Sequence, residues 1–248
     1  MATTVDVVIP VLNEERALPG SVAKLRAFLD AQSGRDWRIV VADNGSTDAT
    51  PEVARDLARS IPCVSVTRLE ERGRGRALKK AWLESDAEVC CYMDVDLSTR
   101  LDALPPLVSA VAEEGYDVAI GSRLLPGSEV VGRTLKREIT SRGYSLLFRS
   151  MFRTVFRDAQ CGFKAVRTEA ARAVLPLVKD TGWFFDTEFL IVAQRSGYRI
   201  REIPVHWEDD PDTRVKIVST AWRDVKGLLR LRLGGVPVAP RRGGVERP

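Results

Sequence analysis

The chain has 248 residues, 44% of them hydrophobic and 29% charged, enough apolar material for one substantial core and too much for a disordered or fibrous protein. Four cysteines with no C-x-x-C pair, and a single histidine, exclude a Cys/His zinc site and a disulfide framework and fit a reducing, cytoplasmic setting. The net charge of +4 is uneven: residues 214–248 carry nine Lys/Arg against Asp224 and Glu246, a balance of +7 that leaves −3 for the rest, and such an end suits an anionic surface, membrane or nucleic acid.

Val5–Val11 is short, apolar and β-branched, the pattern of a buried strand, and Leu18, Val22, Leu25 and Leu29 then recur at helical spacing. Trp37–Ala42 is a second strand, ending in the turn-forming run Asp43-Asn44-Gly45-Ser46, and Thr50-Pro51 supplies an N-cap with proline at the first helical position. The pattern repeats with strands at Val64–Thr67, Glu88–Met93 and Asp117–Ile120 and helices at Gly75–Ser85 and Leu101–Glu114. Strands alternating with helices imply an α/β fold, a mostly parallel sheet covered by helices on both faces. Ligands bind such sheets outside the carboxyl ends of the strands. Glu14 and Glu15, Asp43, and Asp94 with Asp96 all follow predicted strands.

Beyond Ser122 the texture changes. Arg133–Arg157 holds seven Lys/Arg and one acid, and Phe148, Met151, Phe152, Val155 and Phe156 fit the i, i+3, i+4, i+7, i+8 stripe of a basic amphipathic helix. That stripe faces either a membrane or the core. A second basic helix, Ile217–Leu233, places Trp222 and several leucines among Arg223, Lys226, Arg230 and Arg232; it suits an anionic membrane surface, or a partner or dimer contact. Gly234–Pro248 is rich in Gly, Pro and Arg and predicts a disordered tail. No apolar run reaches the roughly 18–20 residues that cross a bilayer, and MATTVDVVIP has neither a basic n-region nor a cleavage site.

Asp94-Val95-Asp96 is the central clue. Carboxylates at i and i+2 point to one side of an extended segment, their repulsion calls for a cation, and oxygen ligands beside phosphates suit Mg²⁺ or Mn²⁺. The Asp43 carboxylate is placed to accept hydrogen bonds from a base edge or a ribose hydroxyl, or simply to form its turn. Arg72-Gly73-Arg74-Gly75-Arg76, with Lys79 and Lys80, offers cations and flexible backbone to a phosphate.

Pro10-Val-Leu-Asn-Glu14, Asp43-Asn-Gly-Ser-Thr-Asp48, Asp94-Val-Asp96-Leu-Ser-Thr, Gly121-Ser-Arg123, Cys161-Gly-Phe-Lys164 and Phe185-Asp-Thr-Glu-Phe189 together resemble the ordered signature of the inverting family 2 glycosyltransferases over residues 5 to about 218. Within that family they are most similar to the dolichyl- and polyprenyl-phosphate glucose and mannose synthases, the D-x-D-L-S-T form being closest to the glucosyl branch. The resemblance implies a GT-A type nucleotide-sugar-binding domain over residues 1–213, with 214–233 a basic helical extension and 234–248 a tail. It implies a sugar nucleotide held by Pro10, Leu12, Glu14 and Asp43, a metal held by Asp94 and Asp96, and Arg123 and Arg137 facing the donor diphosphate or the acceptor phosphate. Ser141 falls in the acceptor segment and Arg214 at a late phosphate-binding position, in Thr-Arg-Val where the family often has Ser-Lys-Val; Ser98-Thr99 replaces the aromatic, Gln or His that often follows D-x-D-L.

The implied reaction is metal-assisted single displacement of a hexose from a UDP- or GDP-sugar onto polyprenyl phosphate, at the inner face of a membrane. A phosphate monoester, with a second pKa of about 6, needs no base. A small-molecule hydroxyl, the alternative acceptor, needs one, and by the family pattern Asp186 or Glu188 fills that place. A non-catalytic anion- or nucleic-acid-binding protein is a third reading, against which the acidic strand-end cluster argues.

Overall fold

The computed structural model describes residues 2–209 and 217–240. Its elements are β1 (Thr3–Val11), α1 (Leu18–Asp30), β2 (Arg35–Asn44), α2 (Thr50–Ser60), β3 (Val64–Leu69), α3 (Arg74–Glu84), β4 (Val89–Met93), α4 (Leu104–Ala112), β5 (Val118–Ser122), β6 (Glu129–Val131), α5 (Leu135–Phe152), β7 (Phe163–Arg167), α6 (Thr168–Val174), α7 (Phe185–Arg195), β8 (Ile200–Pro204), β9 (His206–Glu208) and α8 (Ile217–Gly234). Seven strands form one sheet in the order β3-β2-β1-β4-β7-β5-β8.

The sheet is the mostly parallel one expected. β1 pairs in parallel with β2 and β4, β2 with β3, and β5 with β8. Two apolar layers cover its faces. Val5, Val7 and Ile9 of β1 join Leu25 and Leu107 on one side, while Val8 joins Trp82, Tyr92 and Phe189 on the other; a strand buried on both faces reads as a nearly continuous apolar run, broken here only by Asp6, which pairs with Arg38 of β2.

β7 was not anticipated. It runs antiparallel between β4 and β5, and Lys164 in its middle is fully buried, so the segment carries a charge where a central strand ordinarily shows an aliphatic residue. Thr50, expected as the cap, is instead the first residue of α2, with Pro51 second and Ala49 before it without a side-chain cap bond; Asp48 Oδ1 accepts the Thr50 N–H at 3.0 Å, and the Thr50 hydroxyl accepts from Glu14 N–H at 2.8 Å, tying the end of β1 to α2.

The basic helix is shorter than the pattern suggested. α5 starts at the Thr134 cap, which accepts from Arg137 N–H, and stops where Arg153 turns left-handed at φ 52°, leaving Val155 and Phe156 outside it. Phe148 and Phe156 are buried and stacked at 5.4 Å, so this part of the stripe faces the core. The exposed apolar residues are others: Leu135, Ile139 and Leu146, each more than 60% exposed and on one side of the helix by spacing. In α8, Leu228 and Leu231 are buried while Trp222, Leu229 and Leu233 are exposed. Disorder from Gly234 onward does not hold for the next residues, since Ala239 is buried and its N–H donates to Ser196 Oγ at 2.8 Å; residues 241–248 lie outside the described residues. No helix among the described residues is long and apolar enough to cross a membrane.

Candidate active site

A cavity of about 800 Å³ lies at the carboxyl ends of β1, β2 and β4, where a parallel sheet binds its ligands. Its lining includes Pro10, Leu12, Glu14 and Asn44 from the ends of β1 and β2, Asp94 and Asp96 after β4, Arg74, Trp183 and Asp186, the arginines Arg123, Arg133 and Arg137 with Asp209, and Tyr144, Gln160, Thr220 and Asp224.

Asp94 and Asp96 share this space, though not by strand alternation. β4 ends at Met93, and the pair occupies a turn in which Leu97 N–H donates to the Asp94 carbonyl at 3.1 Å and Ser98 N–H to Asp96 Oδ1 at 2.9 Å. Leu97 sits at φ 54°, a left-handed conformation unusual for a leucine that costs of order 1 kcal/mol and persists where its surroundings enforce it. Gly162 is the floor: a Cβ there would overlap the Asp94 carboxylate. Two hard oxygen ligands on one wall, with room for diphosphate oxygens, fit Mg²⁺ or Mn²⁺, which bind through one or two carboxylates plus substrate phosphates.

Arg74 organises the same wall. Its guanidinium binds Asp94 Oδ1 at 2.5 Å and Asp186 Oδ2 at 2.9 Å and lies 5.1 Å from the ring centres of both Tyr92 and Trp183; both carboxylates hold its pKa well above the ordinary arginine value despite burial. Asp186 Oδ1 also accepts from Tyr92 at 2.5 Å and pairs with buried Lys164 at 3.1 Å. Burial, and then the Asp186 charge, push the Tyr92 phenol well up.

The arginine wall is built from fixed pairs. Arg123 grips Asp158 through two bonds of 2.8 and 2.9 Å and stacks 4.8 Å from Trp207; although burial opposes ionisation of both partners, the guanidinium holds the carboxyl down at about 2. Arg137 pairs with Asp209 at 3.2 Å, and Arg133 pairs with Glu138 at 3.1 Å and donates to Ser141 Oγ at 2.5 Å. Burial, with Arg123 nearby, lowers the Arg133 pKa.

The cavity thus collects Pro10, Leu12, Glu14, Asp94, Asp96, Arg123, Arg137, Ser141 and Asp186 of the residues singled out in the sequence. Glu188 is not among its lining residues. That buried carboxylate accepts from Asp180 N–H at 2.8 Å and holds Arg230 of α8 at 2.8 and 3.0 Å. Lys79 donates to the Val178 carbonyl and Arg76 pairs with Glu71, both away from the lining. Asp43 is fully buried: Oδ1 accepts Ser46 N–H at 3.0 Å, forming the expected turn, and Oδ2 lies 3.5 Å from Arg68 without a hydrogen bond. Arg214 lies outside the described residues. His206 is bound between Glu129 and Glu208. All four cysteines are free, Cys90 and Cys91 buried in β4, Cys161 buried and Cys63 partly exposed.

The sequence singled out Arg74 only as one of the phosphate-facing cations of its basic run, and gave no role to Tyr92, Arg133, Asp158, Gln160, Lys164 or Asp224. Arg74 lay inside the flagged basic run and Lys164 inside a quoted motif; Asp224, an acid in the basic C-terminal segment, gave no local signal.

The family 2 glycosyl transferase profile matches residues 6–175, spanning β1 through α6. The chain belongs to glycosyltransferase family 2. Among curated relatives, glycosyltransferase AglD of Haloferax volcanii is 40% identical over 90% of this chain, which spans 35% of AglD's length. The dolichyl-phosphate beta-glucosyltransferase of Saccharomyces cerevisiae is 27% identical over 92% of this chain and 73% of its own. Glucosyl-3-phosphoglycerate synthase from Mycobacterium tuberculosis, solved with Mn²⁺, UDP and product, superposes with a TM-score of 0.68 at 21% identity, over 97% of this chain and 82% of that one, which establishes the shared GT-A architecture.

Proposed function

We propose that this glycosyltransferase moves glucose from UDP-glucose to a polyprenyl phosphate at a membrane surface. One observation carries the reading: a single cavity faces a carboxylate pair on one side with three arginines on another, both of which a donor diphosphate and an anionic acceptor require. The names of the dolichyl-phosphate glucosyltransferase relatives support the acceptor and the sugar, and the UDP held by the solved structure of the same fold supports the nucleotide.

In this reading Pro10, Leu12, Glu14 and Asn44 bound the nucleotide, and Asp43 presents its unbonded Oδ2 behind them. Asp94 and Asp96 would hold a divalent ion, whose chemistry there would be to offset the negative charge of the departing diphosphate. Arg123, Arg133 and Arg137, already fixed by their acids, stabilise phosphate charge without reorganising. A phosphate monoester is largely a dianion near neutrality and attacks the anomeric carbon directly, inverting it, so no proton acceptor is required. Asp186 then serves as a positioning residue that fixes Arg74 and Lys164, consistent with the three cationic or hydroxyl donors on its carboxylate. The exposed Leu135, Ile139 and Leu146 on α5 and Trp222 on α8, on two helices rich in Lys and Arg, dock the enzyme on the lipid surface that carries its acceptor.

The test is release of nucleoside diphosphate from a UDP-glucose and GDP-mannose panel, with Mn²⁺, Mg²⁺ or EDTA, with and without a short polyprenyl phosphate. UDP release that needs both the metal and the lipid phosphate is expected. Release only with soluble hydroxyl acceptors would overturn the assignment.

A further inference from the structure

Of six buried carboxylates in the described residues, Asp6, Asp43, Asp158, Asp186 and Glu188 each have an arginine within 3.5 Å. Asp224 is the exception. It is 1% exposed and no described cation pairs with it. Its Oδ2 accepts from Gln160 Nε2 at 2.6 Å, while Oδ1 has no partner. The residue nevertheless lines the cavity beside Tyr144, Gln160, Thr220 and Ala221.

The position is fixed rather than incidental. One turn on, Gly227 lets α8 settle against the Phe184 ring, which a Cβ would overlap, and Leu228 and Leu231 are buried beside it. An acid held in this way without a counter-charge among the described residues is costly to the free protein, and such a cost is characteristic of a group kept for a ligand.

The ligand chemistry follows from what a lone carboxylate can accept. A phosphate oxygen is repelled and a lipid chain offers no donor, whereas a hydroxyl supplies a neutral donor and satisfies Oδ1. The place follows from the cavity: Gln160, which holds Asp224, is two residues from Gly162, the floor beneath Asp94, and Asp224 lines the same cavity as the carboxylate pair assigned to the diphosphate, the cavity that must also take the sugar attached to that diphosphate. Resting on the function proposed above, we infer that Asp224 binds a hydroxyl of the transferred sugar and is a specificity-determining residue.

The experiment compares wild type with Asp224→Asn and Asp224→Ala for UDP and UDP-glucose binding by calorimetry with Mn²⁺, and for transfer from UDP-glucose and its 2-, 3-, 4- and 6-deoxy analogues. Removing a hydroxyl–carboxylate bond is expected to lower kcat/KM for UDP-glucose roughly 10- to 100-fold, more for Ala than for Asn, with UDP affinity unchanged within about twofold. One deoxy donor is expected to lose as much with wild type and to lose nothing further with the Ala variant. Thermal unfolding verifies the fold, and Asn retains an acceptor for Gln160. Equal losses for UDP and UDP-glucose, indifference of the variants, or full additivity with every deoxy donor would each overturn the inference while the site assignment stands. Failure of the wild type to bind either nucleotide would overturn the underlying reading, and this one with it.

Discussion

Replacing Asp224 with asparagine should stabilise the protein, by an amount that grows with pH. Burial, and then the nearby Asp180 charge, lift the Asp224 carboxyl from its ordinary 3.8 to about 7, against the opposing bond from Gln160. A raised folded-state pKa means that the native protein holds this proton more tightly than the unfolded chain, so the contribution to stability is complete below pH 3.8 and is lost as pH climbs to 7. The whole interval corresponds to about 4 kcal/mol at about 1.4 kcal/mol per pH unit, an upper bound because water in the cavity screens the charge. Asparagine has nothing to titrate. Urea unfolding of both proteins between pH 5 and pH 8.5 should therefore show a difference that rises by about 2–3 kcal/mol and levels off above pH 7, equivalent to roughly 5–10 °C in Tm for a chain of this size. Other groups titrate alike in both proteins and cancel. A difference flat with pH, or an asparagine variant less stable at pH 8.5, would refute the claim that this carboxylate is buried without compensation.

Asp158→Ala strands the Arg123 charge and is expected to cost about 3–5 kcal/mol in denaturant unfolding; the wild-type pair, with the carboxyl at about 2, gives stability present above pH 3.8 and lost only as pH falls toward 2. Gly162→Ala pushes a methyl into the Asp94 carboxylate and should weaken Mn²⁺-dependent UDP binding at least tenfold by calorimetry while far-UV circular dichroism is unchanged. Leu135→Ser with Ile139→Ser, both on exposed positions of α5, should abolish flotation with anionic liposomes and move stability by less than about 0.5 kcal/mol.

The parallel half of the sheet was legible because β1, β2 and β4 are buried on both faces and leave predominantly apolar, β-branched runs, interrupted only by Asp6 and Arg38, which pair with each other across β1 and β2, and the acids following them fell where parallel sheets bind ligands. The antiparallel β7 was not, because Lys164 breaks its apolar pattern for a reason visible only in three dimensions: it pairs with Asp186 from α7. The same logic separates the site residues. Asp94 and Asp96 announce themselves by spacing, whereas Asp158 and Asp224 take their meaning from partners 35 and 64 residues away. Glu188 shows the converse case, a motif position that the structure does not bring into the cavity lining. It lies two residues from Asp186 along α7, a spacing that turns it about 200° round the helix, and it binds Arg230 instead of lining the cavity.

Helix α5 shows how one short sequence serves two surfaces. Arg137, Thr140, Ser141 and Tyr144 recur at i, i+3, i+4 and i+7 and line the cavity, with Phe148 one turn further on in the core. Leu135, Ile139 and Leu146 recur at i, i+4 and i+11 on another face and are exposed. At 3.6 residues per turn these two stripes remain separate along the whole helix, so the cavity-lining stripe and the exposed apolar stripe, proposed above to meet phosphate and lipid, are carried by one rigid body. A lipid-linked phosphate needs that arrangement, since its charged head must enter the cavity while its chain stays in the membrane. A soluble phosphate gains nothing from the outer stripe. The two acceptor classes are therefore separable by substitutions on the outer stripe alone, without touching any residue of the cavity.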